Sequence, residues 1–173
     1  MKKITLTLIA ILCVFLSTFA SDINVIKGDK KFLKTASGNA LLEFVWEGAQ
    51  YDNKMALEEH YSDLENLKKV AWNGFVETFN AKSKTVKIVK NAADAKYKMT
   101  MKVVNMDSYF KVMGFIPAPA TKVWGVFTIT DIATGEVLVE INVKEVDGGA
   151  NPSPDGTFSD CFEELGKQVA KLK

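Results

Sequence analysis

Arginine is absent from this chain: all 22 basic residues are lysine. Without a guanidinium fork the protein lacks the side chain that grips carboxylates and phosphates bidentately, so anion sites of that precision are disfavoured. Histidine occurs once, at His60. A zinc centre needs several converging nitrogen or sulfur ligands, and any Ser–His–Asp triad would have to use that one imidazole. Cysteine occurs twice, at Cys13 and Cys161. Net charge is +1, without the basic excess of a dedicated nucleic-acid binder. No apolar run is long enough to span a bilayer comfortably.

What is present begins with an address. Met1-Lys2-Lys3 gives a positive start, residues 4–15 are almost unbroken apolar sequence, and Ser17-Thr18-Phe19-Ala20 offers small residues before Ser21. This is the pattern of a signal peptide over residues 1–20. Its removal leaves 153 of the 173 residues, one well-buried domain over 21–173, periplasmic or secreted, with no transmembrane segment. With Lys2 and Lys3 gone, 20 lysines face 21 acids and the net charge becomes −1. Cys13 follows Leu12 rather than a small residue and leaves with the signal. Cys161 then stands alone, so no intrachain disulfide holds the fold.

Residues 21–40 read as a mobile or edge-pairing segment. Leu42, Phe44 and Trp46 alternate with polar neighbours as in a half-buried strand. A polar loop runs from 48 to 61. Ser62 with Glu65 then forms a capping-box pattern ahead of a helix with Leu64, Leu67, Ala71, Phe75 and Phe79 on one stripe. Val86-Lys87-Ile88 and the alternating Tyr97, Met99, Met101 and Val103 suggest a hairpin about the break at 91–94. A second hairpin joins 121–131 to 136–146 through Thr134-Gly135. The last helix takes Thr157 as N-cap and carries Phe158, Cys161, Phe162, Leu165, Val169 and Leu172. Gly74 and Gly166 sit on the apolar stripes of the two helices, where each costs roughly 1 kcal/mol against Ala. Close approach of the helices, or of helix and sheet, would explain them. The expected fold is α+β: a two-layer sandwich, an antiparallel sheet of about five strands with two helices on one face.

No residue is assigned to catalysis, metal or cofactor. Cys161 lies near a helix start but on the apolar stripe beside Asp160, Glu163 and Glu164. His60 has only carboxylates for company. Asp147-Gly148-Gly149 with Asn151 and Asp155 offers oxygen ligands but matches no EF-hand spacing. Two features point to binding instead. The connection 109–119 is long and apolar, with Tyr109, Phe110, Met113, Phe115 and Ile116 as its candidates. It is either tucked under the fold or shown to a partner. Lys82 to Lys102 holds seven lysines and one acid, with Lys96, Lys98 and Lys102 on one strand face. That face is a solubilising surface or a contact for an acidic glycan.

Lys27-Gly28-Asp29 with Phe32-Leu33-Lys34, the helix with Trp72, Phe75 and Phe79-Asn80, Trp124-Gly125, Thr134-Gly135-Glu136 and Asp147-Gly148-Gly149-Ala150-Asn151-Pro152 together resemble uncharacterised short secreted proteins of Bacteroidetes. That resemblance brings no active residues. More loosely, the element order and the Ala93-Asp94-Ala95-Lys96-Tyr97 lead-in are similar to small α+β domains of cell-envelope accessory proteins, such as the Tol-system propeller protein and the curli-secretion lipoprotein. Unlike the lipoproteins, this chain has no acceptor cysteine after its signal. The reading is a non-catalytic exported envelope binding or adaptor module whose partner is another envelope protein or an acidic glycan surface, not nucleic acid. The alternative is a carrier for a small apolar ligand in a pocket under 109–119. An enzyme comes third.

Overall fold

A computed structural model describes residues 23–113 and 116–172. The signal-like stretch 1–20 and Phe115 lie outside the described residues.

The strands are β1 (Ile23–Gly28), β2 (Gly38–Val45), β3 (Gln50–Tyr51), β4 (Met55–Ala56), β5 (Val86–Ile88), β6 (Ala95–Met113), β7 (Ile116–Asp131) and β8 (Val137–Ala150). The helices are α1 (Phe32–Thr35), α2 (Leu57–His60), α3 (Leu64–Lys82) and α4 (Pro154–Ala170). The strands form one eight-stranded sheet with the main order β1-β8-β7-β6-β2-β5. An antiparallel sheet of about five strands with two helices is therefore not what this chain builds. The sheet is mixed: β2 runs parallel to both β5 and β6, and β3 parallel to β6, while the β1, β7 and β8 pairings are antiparallel.

One insertion accounts for most of the difference. β5 and β6 do not form a hairpin about 91–94. β2 lies between them, and a 3-10 turn at Ala92–Asp94 carries the chain across. The N-terminal segment pairs as an edge, with β1 along β8. The expected loop 48–61 holds β3, β4 and α2.

The core follows from alternation. Tyr97, Met99, Met101 and Val103 on β6, Val123, Phe127 and Ile129 on β7, and Val139, Ile141 and Val143 on β8 are buried with Leu67, Ala71, Phe75 and Phe79 of α3 and Phe158, Cys161, Phe162, Leu165 and Val169 of α4. The two long helices touch where their glycines lie. A Cβ on Gly74 would stand 3.0 Å from Ser159 Oγ, and one on Gly166 would stand 2.7 Å from the Phe75 carbonyl oxygen. The helix starts differ from the sequence pattern. No side-chain cap forms at the start of α3, and Glu65 instead binds Lys68 at 2.7 Å. Ser153 caps α4 by accepting from Gly156 N–H at 3.3 Å, with Pro154 in the first turn, where its missing N–H costs nothing. Thr157 is buried instead and shares a 3.0 Å hydrogen bond with Thr121. Among the described residues no helix is long and apolar enough to cross a membrane.

Candidate binding surface

The connection 109–119 is not a loop. β6 and β7 continue through it as one antiparallel arm, in register from Tyr109 opposite Ala120 to Met113 opposite Ile116. Two features hid this from the sequence. A bulge between Val103 and Asn105 switches which parity of residue faces the helices. Pro117 and Pro119, residues uncommon inside strands, sit opposite Val112 and Phe110. In an antiparallel ladder such alternate pairs exchange no hydrogen bonds, so a missing N–H is tolerated there.

Because successive side chains alternate, Tyr109 and Phe110 do not share a patch; the side chains of Met113 and Ile116 lie outside the described residues. Phe110 and Val112 are 74% and 69% exposed. They share a face with Ser108, whose hydroxyl lies 3.5 Å from that of Tyr61, and with the cross-strand residues Pro117 and Pro119. This is the helix-side face of the sheet, continued past the helices. Tyr109 and Lys111 point the other way and converge on Asp147. The Tyr109 hydroxyl and the Lys111 ammonium (3.1 Å) both donate to Asp147 Oδ2, Gly149 N–H donates to Oδ1 at 2.8 Å, and the Lys122 ammonium lies 4.4 Å over the Tyr109 ring.

This cluster ties the arm to β8. Burial raises the Asp147 pKa, but the hydrogen bonds from Tyr109, Gly149 and Lys111 outweigh it and hold the carboxyl below its ordinary 3.8. Burial first, and then the hydrogen bond to Asp147, push the Tyr109 phenol up. A carboxyl depressed in the fold stabilises above its unfolded pKa, and the contribution fades as pH falls through the folded value. Asp147→Asn should therefore cost about 1 kcal/mol at pH 7, a figure kept small because the pair is partly solvated. The gap between wild type and variant should narrow as pH falls below 3.8 and through the lower folded value. Thermal melts at pH 7 and along that descent check this; a gap that does not narrow would deny the anchor.

Lys96, Lys98 and Lys102 are exposed on the opposite face of β6, next to the half-buried Thr100. They do not make a purely basic patch. Lys98 pairs with Glu43 at 2.7 Å, and the Lys96 ammonium lies 5.1 Å from the Tyr97 ring centroid.

The other sequence candidates resolve into packing. Cys161 is fully buried and its thiol donates to the Val146 carbonyl at 3.2 Å. Burial, with Asp147 and Asp160 adding to it, pushes that thiol far up, away from a reactive thiolate. His60 stacks on Tyr51, ring centroids 3.4 Å apart. Gly148-Gly149 belongs to β8 rather than to a ligand loop. Among the described residues no group of three or more His, Cys, Asp or Glu is placed to hold a metal ion.

Two clefts were not anticipated. One of about 470 Å³ is lined by Trp46, Tyr61 and Leu64 with Glu47, Glu58, Asp63, Glu65 and Lys68. Its acids suit a neutral or cationic group better than an anion. The other, about 380 Å³, has an apolar floor of Leu33 and Ala170 ringed by Lys34, Lys82, Lys84 and Lys171. Neither is lined by the arm. The Trp46 cleft draws on residues either side of a short hairpin, so no local sequence signal joined them.

No protein-family model and no curated protein matches the chain. Among solved structures, it is similar to a PelC dodecamer from Paraburkholderia phytofirmans, at 13% identity and a TM-score of 0.48, covering 87% of this chain and 98% of that one. It is also similar to a neuraminyllactose-binding hemagglutinin homologue from Helicobacter pylori, at 12% identity and a TM-score of 0.42, covering 84% of this chain and 87% of that one.

Proposed function

We propose that this protein is a non-catalytic exported envelope binding module whose contact surface is the β6–β7 arm. The observation that carries it is the exposure of Phe110 and Val112 side by side beyond the reach of the helices. Apolar side chains that gain nothing from the fold cost solubility unless something covers them. The signal-like residues 1–20 support export, and the burial of Cys161 counts against the enzyme reading that would use its thiol. The carrier reading loses its roof, because the segment meant to cover a pocket is a pair of strands. The acidic-glycan reading is the weaker of the two partner classes, since Glu43 neutralises Lys98.

The test compares wild type with Phe110→Ser/Val112→Thr as bait in an envelope extract. Both sites are exposed, so the double variant should keep its stability within about 0.5 kcal/mol per site. A protein held by wild type should be retained at least tenfold less by the variant. Equal retention, or none by either, counts against the arm.

A further inference from the structure

We infer that the outer edge of β6, Ser108 to Val112, pairs antiparallel with the same edge of a second copy. This goes beyond the partner reading, which concerns the arm's apolar face, and it is tested on purified protein without any partner.

The geometry begins with where the ladder stops. β2 leaves β6 at Lys102 and β3 leaves it at Met106, whose carbonyl accepts Asp52 N–H at 2.8 Å. Beyond that point the described pairings of β6 are to β7 alone. From Met106 to Val112 the register is unbroken, so the residues whose N–H and C=O point outward are Met106, Ser108, Phe110 and Val112. The prolines agree independently. Pro119, opposite Phe110, cannot donate to β6, and its carbonyl turns away to accept Asn151 N–H at 2.9 Å. Met106 is already served. Among the described residues, nothing pairs with the three outward donors and three outward acceptors of Ser108, Phe110 and Val112.

Among the described residues, the other edges of the sheet are short or bulged and this one is neither. β5 has only three residues, and β1 carries a bulge between Val25 and Lys27. On the arm itself, both prolines sit on β7. A straight edge without proline or bulge is a template for another strand.

The free run is symmetric about Phe110, which sets the register. Phe110 would face Phe110 of the other copy, and Ser108 would face Val112. All six outward groups of each copy are then used in one isologous two-fold contact. On the opposite face Tyr109 meets Lys111 of the other copy. The two-fold also sets both Phe110 and Val112 pairs side by side, doubling the apolar surface offered to a partner.

An interface this small is weak, so self-association should appear at roughly tens of micromolar. Sedimentation of the purified protein should show a concentration-dependent dimer. Phe110→Pro removes the outward N–H and touches no bond to β7, because the partner there is already proline. It should weaken the dimer at least tenfold while the melting temperature stays near wild type. Phe110→Cys should form a disulfide-linked dimer on mild oxidation, and Tyr109→Cys should do so much more slowly, since its twin lies on a diagonal. A monomer at every concentration, or equal cross-linking at both positions, overturns the inference, and a dimer unaffected by Phe110→Pro overturns the edge.

Discussion

Gly148→Ala is expected to cost about 3 kcal/mol or more and to lower the melting temperature by roughly 6–12 °C. The reason is where α4 crosses the end of β8. A Cβ on Gly148 would lie 2.1 Å from both the Asp160 carbonyl carbon and the Cys161 amide nitrogen. These are backbone atoms in the first turns of a helix, so no rotamer change relieves the contact. Either the helix lifts from the sheet or the strand end bends away. Both disturb Asp147, the next residue, which anchors the arm through Tyr109 and Lys111. Gly149 is the control. It has φ +101 but nothing within 4 Å of an added Cβ, so Gly149→Ala meets backbone strain alone, about 1–2 kcal/mol. Melts of the two variants separate packing from strain. Equal losses would mean that α4 does not rest on Gly148 as closely as described.

What the sequence revealed of this fold was its local order. The stripe through Leu67, Ala71, Phe75 and Phe79, the terminal helix and the alternation at 97–103 are read within single windows, where periodicity is strong. The hairpin of β7 with β8 was equally plain, because Asp131 and Gly135 close it locally. The position of β2 was not. A strand that inserts between β5 and β6 is specified by its fit to partners some fifty residues away, and no window of its own sequence carries that. The sequence suggested a hairpin across 91–94 because nothing local argued against one.

The candidate surface was legible by composition and obscured by geometry. The apolar stretch 109–119 reads as a connection between strands, whereas Pro117 and Pro119 occupy ladder positions where a strand can spare an N–H. The bulge at Val103/Asn105 flips the facing of every later residue on β6. Tyr109 was therefore grouped with Phe110, although the arm sends them to opposite faces. Lys96, Lys98 and Lys102 alternate within one window of sequence, but Glu43 comes to Lys98 from β2, whose pairing no local pattern carries.

Phe162→Ala should be the most damaging change in the aromatic interior, about 3–5 kcal/mol. Phe162 is fully buried, with Phe44 at 5.2 Å, Trp46 at 5.6 Å and Phe158 at 5.5 Å around it. These rings come from β2, the turn after it and α4, so one side chain joins the inserted strand to the last helix. Truncation leaves a void between two rigid elements that cannot both close on it. Phe162→Leu refills most of that volume and should recover more than half of the loss. Because Trp46 and Tyr61 also line the 470 Å³ cleft, the cavity should be read from two signals. In a Trp72→Phe/Trp124→Phe background that leaves Trp46 as the reporter, emission should shift in Phe162→Ala and stay close to the parent in Phe162→Leu, alongside the change in melting temperature. A large loss of stability with unchanged emission would place the collapse elsewhere, and would separate the cleft wall from the packing around Phe162.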